Sequence, residues 1–527
     1  MTLDQFRDLV SVRLAAGSAR VAVPVFVRRS ADLLTPVAAY LKLRQPGTLG
    51  FLLESVEGGE KLARYSFLGV GPHLVLEADG MSVRLTRPAL VDGMHSGDGA
   101  PQTETRAGSV YDVLGELLAD VDEVKIPDLP RFTGGGVGYL GYDTVRLLER
   151  LPEPPPDPLG LPDALWAFYD TLVAFDHVRH QMLLIATVFA DADTDLDDAY
   201  AEAQHRLARL EQRLAEGPSR SGTAEPGPAI QLRADAIASN FARSDFEAAV
   251  ETAKQHIVEG DIFQVVLSQR FAMPFRGDTF NLYRALRQVN PSPYLFYLDL
   301  RSAPVDGRPA QDYALVGSSP EVLVRVEEGR AEVLPIAGTR KRGATPDEDD
   351  ALETDLLADP KERAEHLMLV DLGRNDLGRV CAPGTVAVDR YAYVERYSHV
   401  MHIVSAVSGL VDERRTAMDV LGATFPAGTV SGAPKIRAME IIDTLEPEKR
   451  GVYAGAVGYA DYSGNMDTCI AIRTMVVQRD GPHHGTAYVQ AGAGIVADSD
   501  PASEYEETRS KARALHQAMR LASEGLL

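Results

Sequence analysis

Cysteine is nearly absent: Cys381 and Cys469 are the only two in 527 residues. Two lone thiols make neither a disulfide framework nor a metal-binding spacing, so the composition points to a reducing cytoplasm. Basic residues are in deficit, 53 against 76 acidic, for a net charge of −23. That argues against broad binding to nucleic acid or an anionic membrane surface, and means that local Arg or Lys must meet any small anion. Long apolar runs are missing as well. No stretch reaches membrane length, and residues 1–17 hold no signal-type apolar segment. A literal GxGxxG falls at Gly136, Gly138 and Gly141, but its context is missing. Pro-rich IPDLPRF precedes it in place of a strand and no clear helix follows, which argues against a dinucleotide loop.

What is present is a chain with 45% hydrophobic residues, enough for two large domains or one composite one. Strands are predicted at 21–27, 51–55, 165–175, 181–190, 263–271, 293–300, 313–317, 453–461, 468–478 and 486–490. Asp79-Gly80 marks a hairpin between 74–78 and 81–85, and Glu328-Gly329 another between 322–326 and 331–336. Helices are predicted at 31–43, 196–215 and 347–377, and at 435–445 with Pro434 as the first helical residue. A further helix opens on a capping box, Ser244 with Glu247, and ends at Gly260. Residues 92–107 read as a polar loop, 152–162 as a stiff Pro-rich loop, and 216–228 as a flexible linker dividing an N-terminal region, 1–228, from a C-terminal one, 229–527. Long strands and several helices without regular βαβ alternation predict an α+β fold with antiparallel sheets. GGVGYLGYD (135–143 with Thr133-Gly134 before it) and AGAVGYADY (454–462) echo each other, through chance or a shared two-sheet core.

The chemistry-bearing residues cluster in the second half. In the stretch 489–512 an alternating strand runs into Gly492-Ala493-Gly494, then a turn, then a helix from about Ala502. Small residues admit a ligand close to the backbone and leave N–H donors for an anion. Glu504 and Glu507 share one face of that helix, with Lys511 near it, and Glu362 and Glu365 share a face of an earlier one. Two such pairs can supply oxygen ligands, direct or through water, to one Mg²⁺, which prefers octahedral oxygen and needs only one or two protein carboxylates. Such an ion would bind and polarise a substrate carboxylate. Arg473 lies in an apolar strand and needs an anion. His402 lies in an apolar segment, where a core role competes with a catalytic one. Gly338 and Thr339 follow a strand into a turn, and Gly428-Thr429-Val430 leads to a helix N-terminus, a plausible anion site.

With these residues assembled, the chain resembles the large subunits of anthranilate synthases, within the chorismate-utilising enzymes. The resemblance spans nearly the whole chain. It rests on LLES (52–55), GDIFQVVLSQRF (260–271), NPSPY (290–294), GSSPE (317–321), PIAGTRKRG (335–343), EHLMLVDLGRNDLGRV (365–380), GTVSGAPK (428–435), GAVGY (455–459), DTCIAIRT (467–474) and QAGAGIV (490–496). It implies a composite fold of two facing sheets wrapped by helices, with the site in a cleft between them. It implies conversion of chorismate and ammonia to anthranilate and pyruvate with Mg²⁺. Glu365 and Glu507 match metal ligands, with Glu362 and Glu504 acting through water. Glu321 matches a general acid for the C4 hydroxyl, and His402 the base for the C2 proton. Thr429, Gly338, Thr339, Tyr453, Arg473, Gly492, Ala493, Gly494 and Lys511 match substrate contacts. Glu54, Ser55, Pro293, Tyr294 and Leu295 match a pocket for L-tryptophan as feedback inhibitor. Ammonia is expected from a separate glutamine amidotransferase subunit (component II) in a heterotetramer, since neither cysteine has a nucleophile-elbow setting. Ala337 stands where many aminodeoxychorismate synthases carry Lys, and Gln264 near where isochorismate and salicylate synthases place one. Both therefore favour the anthranilate reading over those cousins. A metabolite-binding regulatory protein is the non-enzyme alternative.

Overall fold

The computed structural model describes residues 1–55, 64–91, 94–96, 100–216, 237–305, 308–397, 400–481 and 484–524. Its frame is two large sheets, of 13 and 12 strands, in which every pairing is antiparallel except the short one between Val21-Ala22 and Asp122-Glu123. The alternating strands explain the layering. One set of faces meets between the sheets in a helix-free core that includes Phe51, Phe67, Tyr139, Leu165, Leu315 and Val457. The outer face of the 13-stranded sheet packs on the helices Leu3–Ala15, Pro36–Leu43, Leu196–Ala215, Thr279–Val289 and Pro501–Glu524. The outer face of the 12-stranded sheet packs on Val110–Ala119, Pro360–Gly378 and Ala417–Thr424, while Arg243–Val258 and Lys435–Leu445 pack on Val265, Leu267, Ala493 and Ile495 of the 13-stranded sheet. The α+β expectation of two facing, mostly antiparallel sheets wrapped by helices holds. Each sheet joins a block of strands from the first half of the sequence to a block from the second, at Gly50–Glu54 beside Tyr294–Arg301 in one and at Gly135–Leu140 beside Ala456–Asp461 in the other. Among the described residues no helix is long and apolar enough to cross a membrane.

The GxGxxG segment is a strand, Gly135–Leu140, followed by a 3-10 turn. It pairs in register with Ala456–Asp461, Gly138 opposite Gly458, so the two echoing motifs are neighbours in one sheet. The glycines are there because side chains do not fit. A Cβ on Gly138 would lie 2.1 Å from the Leu165 carbonyl oxygen and 2.9 Å from the ring of Trp166, the single, fully buried tryptophan.

Several expected boundaries move. The 31–43 helix starts only at Pro36, capped by Thr35. The 92–107 loop contains an edge strand, Gln102–Ala107, whose polar residues suit its exposure. Ser244 is not a cap: the helix Arg243–Val258 begins after Ala242, and the Ser244 hydroxyl bonds Asp245. Pro434 is the N-cap, extended at ψ 140, and not the first helical residue. The 347–377 helix breaks at Asp359-Pro360, where the Asp359 carboxylate caps the second helix, Pro360–Gly378. The linker lies, beyond Glu216, outside the described residues.

The most consequential change concerns 165–175 and 468–478. Each is two strands, not one, and the two belong to different sheets. The chain leaves the 12-stranded sheet at Tyr169 and enters the other at Thr171. It leaves again at Ile470 and enters the other at Thr474. The step from Asp312–Ser319 to Val322–Glu327 makes the same crossing in reverse. Arg473 and Glu321 therefore sit on inter-sheet crossings. Arg473 adopts φ +50, which a strand interior does not allow.

Candidate active site

One cavity of about 660 Å³ opens where these crossings meet the Pro360–Gly378 and Pro501–Glu524 helices. Glu321 and Arg473 come from the crossings. His402 comes from strand Val400–Leu410, and Gly338 and Thr339 from the neighbouring strand Ile336–Lys341. The expected turn at Gly338 is a bulge inside that strand: register slips between Ala337 and Thr339, and Gly338 takes φ +69. The Gly492-Ala493-Gly494 segment is strand, within His484–Ile495. Strand alternation then separates its members. Gly492 and Gly494 line the cavity, whereas Ala493 faces the opposite side and is buried beside Val265, Leu267 and Ile495. A Cβ at Gly492 would meet the Tyr453 hydroxyl at 2.7 Å, and one at Gly494 the Gln264 amide at 2.9 Å.

Glu321 has the setting of an acid. Burial pushes its carboxyl up to about 7, against the opposing pull of a hydrogen bond from Thr429 and the charge of Lys511. The Thr429 hydroxyl donates to Oε1 at 2.7 Å. The carboxyl can thus carry a proton near neutral pH. His402 has the setting of a base. Its Nδ1 lies 3.0 Å from the Gly338 carbonyl, which can only accept, so Nδ1 carries the proton and Nε2 the lone pair. Burial lowers its pKa, so the ring is neutral near pH 7. Burial also lowers that of Arg473, whose guanidinium has no carboxylate or carbonyl partner among the described residues. A buried guanidinium in that state calls for an anion.

Four glutamates line the same cavity: Glu362 and Glu365 from one helix, Glu504 and Glu507 from the other. Burial raises the carboxyls of Glu365 and Glu504, and the neighbouring charges of Glu362 and Glu507 raise them further. A cation would relieve that repulsion, and an all-oxygen set suits a hard one such as Mg²⁺. They do not yet converge. Among the described residues the one group of three potential ligands with atoms within 4.8 Å of each other is His256, Glu259 and Asp261, elsewhere on the surface. Competing partners account for this: Arg340 holds Glu362 at 3.1 Å, Lys511 holds Glu507 at 2.8 Å, and Gln264 donates to Glu365 at 3.3 Å. Lys511 also donates to the Gly492 carbonyl at 3.0 Å.

The elements Glu54, Ser55, Pro293, Tyr294 and Leu295 come together around a second cavity of about 90 Å³. Leu295 pairs with Glu54 across adjacent strands. Burial raises the Glu54 carboxyl, which accepts from the Tyr283 hydroxyl and pairs with Arg287 at 3.3 Å. The Tyr294 hydroxyl donates to Asp467 at 2.7 Å and accepts from Arg325 at 3.0 Å. Pro293 lines both cavities. Residues that sequence reading did not single out include Asn290, Ser292, Lys361 and Gln490 on the main cavity, and Arg131 and Asp467 on the second. Several lie inside the quoted motifs, but nothing in the sequence tells which strand face they occupy.

A sequence model for chorismate binding enzymes matches residues 93–517. Proteins called anthranilate synthase component 1 are similar over almost the full length. That of Acetivibrio thermocellus is 45% identical over 505 residues, 95% of this chain and 96% of the relative. That of Synechocystis sp. is 48% identical over 515 residues, again 95% and 96%. The crystal structure of anthranilate synthase component I from Streptococcus pneumoniae aligns with a TM-score of 0.69 at 37% identity, covering 93% of this chain and 99% of that one. The menaquinone-specific isochorismate synthase of Escherichia coli shares the fold at 17% identity, with a TM-score of 0.67 over 97% and 98% of the chains. On its sequence and its fold, this chain belongs to the chorismate binding enzyme family.

Proposed function

We propose that the protein is the large subunit of an anthranilate synthase, converting chorismate and ammonia to anthranilate, pyruvate and water. The observation that carries this reading is one cavity holding a protonatable Glu321, a neutral His402 and an Arg473, with His402 Nε2 and the Arg473 guanidinium without a partner among the described residues. Arg473 and the backbone N–H groups beside Gly492 and Gly494 bind the carboxylates. Thr429 orients Glu321, which protonates the C4 hydroxyl so that it leaves as water while ammonia bonds to C2. His402 Nε2 then takes the C2 proton, the ring becomes aromatic, and pyruvate departs. Glu365 and Glu507, with Glu362 and Glu504 through water, are the residues that would hold Mg²⁺. When bound, the ion would neutralise and polarise the ring carboxylate. Lys511 would exchange its bond to Glu507 for the substrate.

Ala337, buried in the cavity wall, offers no amine nucleophile, and Gln264 has no basic nitrogen to activate water. Both support ammonia as the nucleophile over the aminodeoxychorismate or isochorismate alternatives. Ammonia would come from a glutamine amidotransferase partner, within a cytoplasmic heterotetramer. The second cavity is proposed as the L-tryptophan feedback site, formed by Glu54 and Ser55 of the N-terminal region 1–228 together with Pro293, Tyr294 and Leu295 of 229–527, with Pro293 linking it to the catalytic cavity. Product analysis by mass tests the reaction. Anthranilate from chorismate and ammonium supports it, whereas isochorismate, salicylate or 4-amino-4-deoxychorismate would overturn it.

A further inference from the structure

We infer that the buried Arg450–Glu446 pair is the positioning device for the acid Glu321, acting through the turn that carries Thr429. The inference rests on the proposed role of Glu321. Arg450 is 2% exposed and Glu446 5%, yet neither lines the catalytic cavity. The guanidinium spends its donors on four acceptors. Nε and Nη2 bond the two Glu446 oxygens at 2.9 and 2.6 Å, Nη1 bonds the Val430 carbonyl at 2.6 Å, and Nη2 bonds the Val266 carbonyl at 2.7 Å. Its plane lies over the rings of Tyr142, at 4.7 Å, and Tyr453, at 5.6 Å.

The two carbonyl acceptors belong to walls of the site. Val430 follows Thr429 in the three-residue turn Gly428–Val430, which has no side-chain cap of its own. Val266, on strand Gln264–Arg276, and Tyr453 line the cavity. Glu446 extends the brace. It accepts from the Ser268 N–H and hydroxyl at 2.8 and 2.9 Å, and that hydroxyl accepts from Gln490, another cavity residue, at 2.9 Å. One ion pair thus fixes the turn, the strand and the phenol that surround Glu321. A planar fork is required: lysine has one nitrogen where four acceptors must be met. The charged and titratable groups facing Glu321 are Lys511 and the Tyr453 phenol, with His402, Arg473, Lys361 and the glutamates Glu362, Glu365, Glu504 and Glu507 on the same cavity.

The test is the pH profile of kcat at saturating chorismate, with free ammonia held constant, for wild type, Thr429→Val, Arg450→Lys and the double variant. Loss of the Thr429 bond removes support for the Glu321 carboxylate and moves the alkaline limb to higher pH. Arg450→Lys is expected to give the same direction of shift, with kcat lowered about tenfold or more and KM for chorismate changed far less. In the Thr429→Val background it is expected to move the limb no further. Arg450→Met combined with Glu446→Gln removes both buried charges and supplies the reading if Arg450→Lys does not fold. An unmoved limb in folded Arg450 variants, or a shift that adds to that of Thr429→Val, overturns the inference. A limb unmoved in Thr429→Val itself overturns the acid role of Glu321, and the inference with it.

Discussion

At the scale of single residues, function follows from which proton each side chain is made to hold. The Gly338 carbonyl can only accept, so it fixes the protonated nitrogen of His402 and leaves the other as a base. His402→Ala is expected to leave chorismate consumption measurable but to slow pyruvate release by about 10²–10⁴-fold. A pyruvate-coupled assay beside chorismate depletion checks this, and equal losses in both would contradict it. Glu321 is the complementary case, a carboxyl held neutral by burial near pH 7. Thr429 donates to its charged form, so removing that hydroxyl raises the pKa further. In its proposed role the acid acts protonated, so activity is expected to fall as pH rises through that pKa. Thr429→Val should therefore stay active to higher pH than wild type while losing overall rate, and a limb displaced downward would contradict the account.

At the scale of elements, a side chain's job depends on where a strand ends. Whether 468–478 is one strand or two is decided by which sheet each half pairs with, a long-range matter that periodicity does not register. Arg473 was legible as a buried cation, but its place on a crossing was not. Gly338 and Gly494 look like turn residues because glycine usually marks turns. Here one forms a bulge, and the other makes room for Gln264. Helices were more legible: Leu196–Ala215 matches its expected span, since its apolar stripe is local information. The Asp359-Pro360 break has a visible signal, an N-cap residue before a proline. Asp359 caps Lys361 and Glu362 and also pairs with Arg340 at 2.9 Å. Asp359→Ala is expected to cost about 0.5–2 kcal/mol. Urea unfolding followed by Trp166 fluorescence reads this, and an unchanged midpoint would contradict it.

At the scale of the whole molecule, two sheets drawn from both halves of the chain create two cavities that share Pro293. A ligand in the smaller cavity that favours one placement of 290–293 alters the larger one, which is the differential contact that coupling requires. Ser55→Phe is expected to abolish inhibition by L-tryptophan and spare uninhibited turnover. Unchanged inhibition in a rate titration would count against that pocket. The central claim is the ammonia-dependent reaction itself, and the emission of anthranilate reports it directly. Purified chain with chorismate, Mg²⁺ and excess ammonium salt at mildly alkaline pH should give rising anthranilate fluorescence. A chelator should abolish that rise, and glutamine alone should not support it. Chorismate consumed without fluorescence, or a rate indifferent to the chelator, would contradict the account.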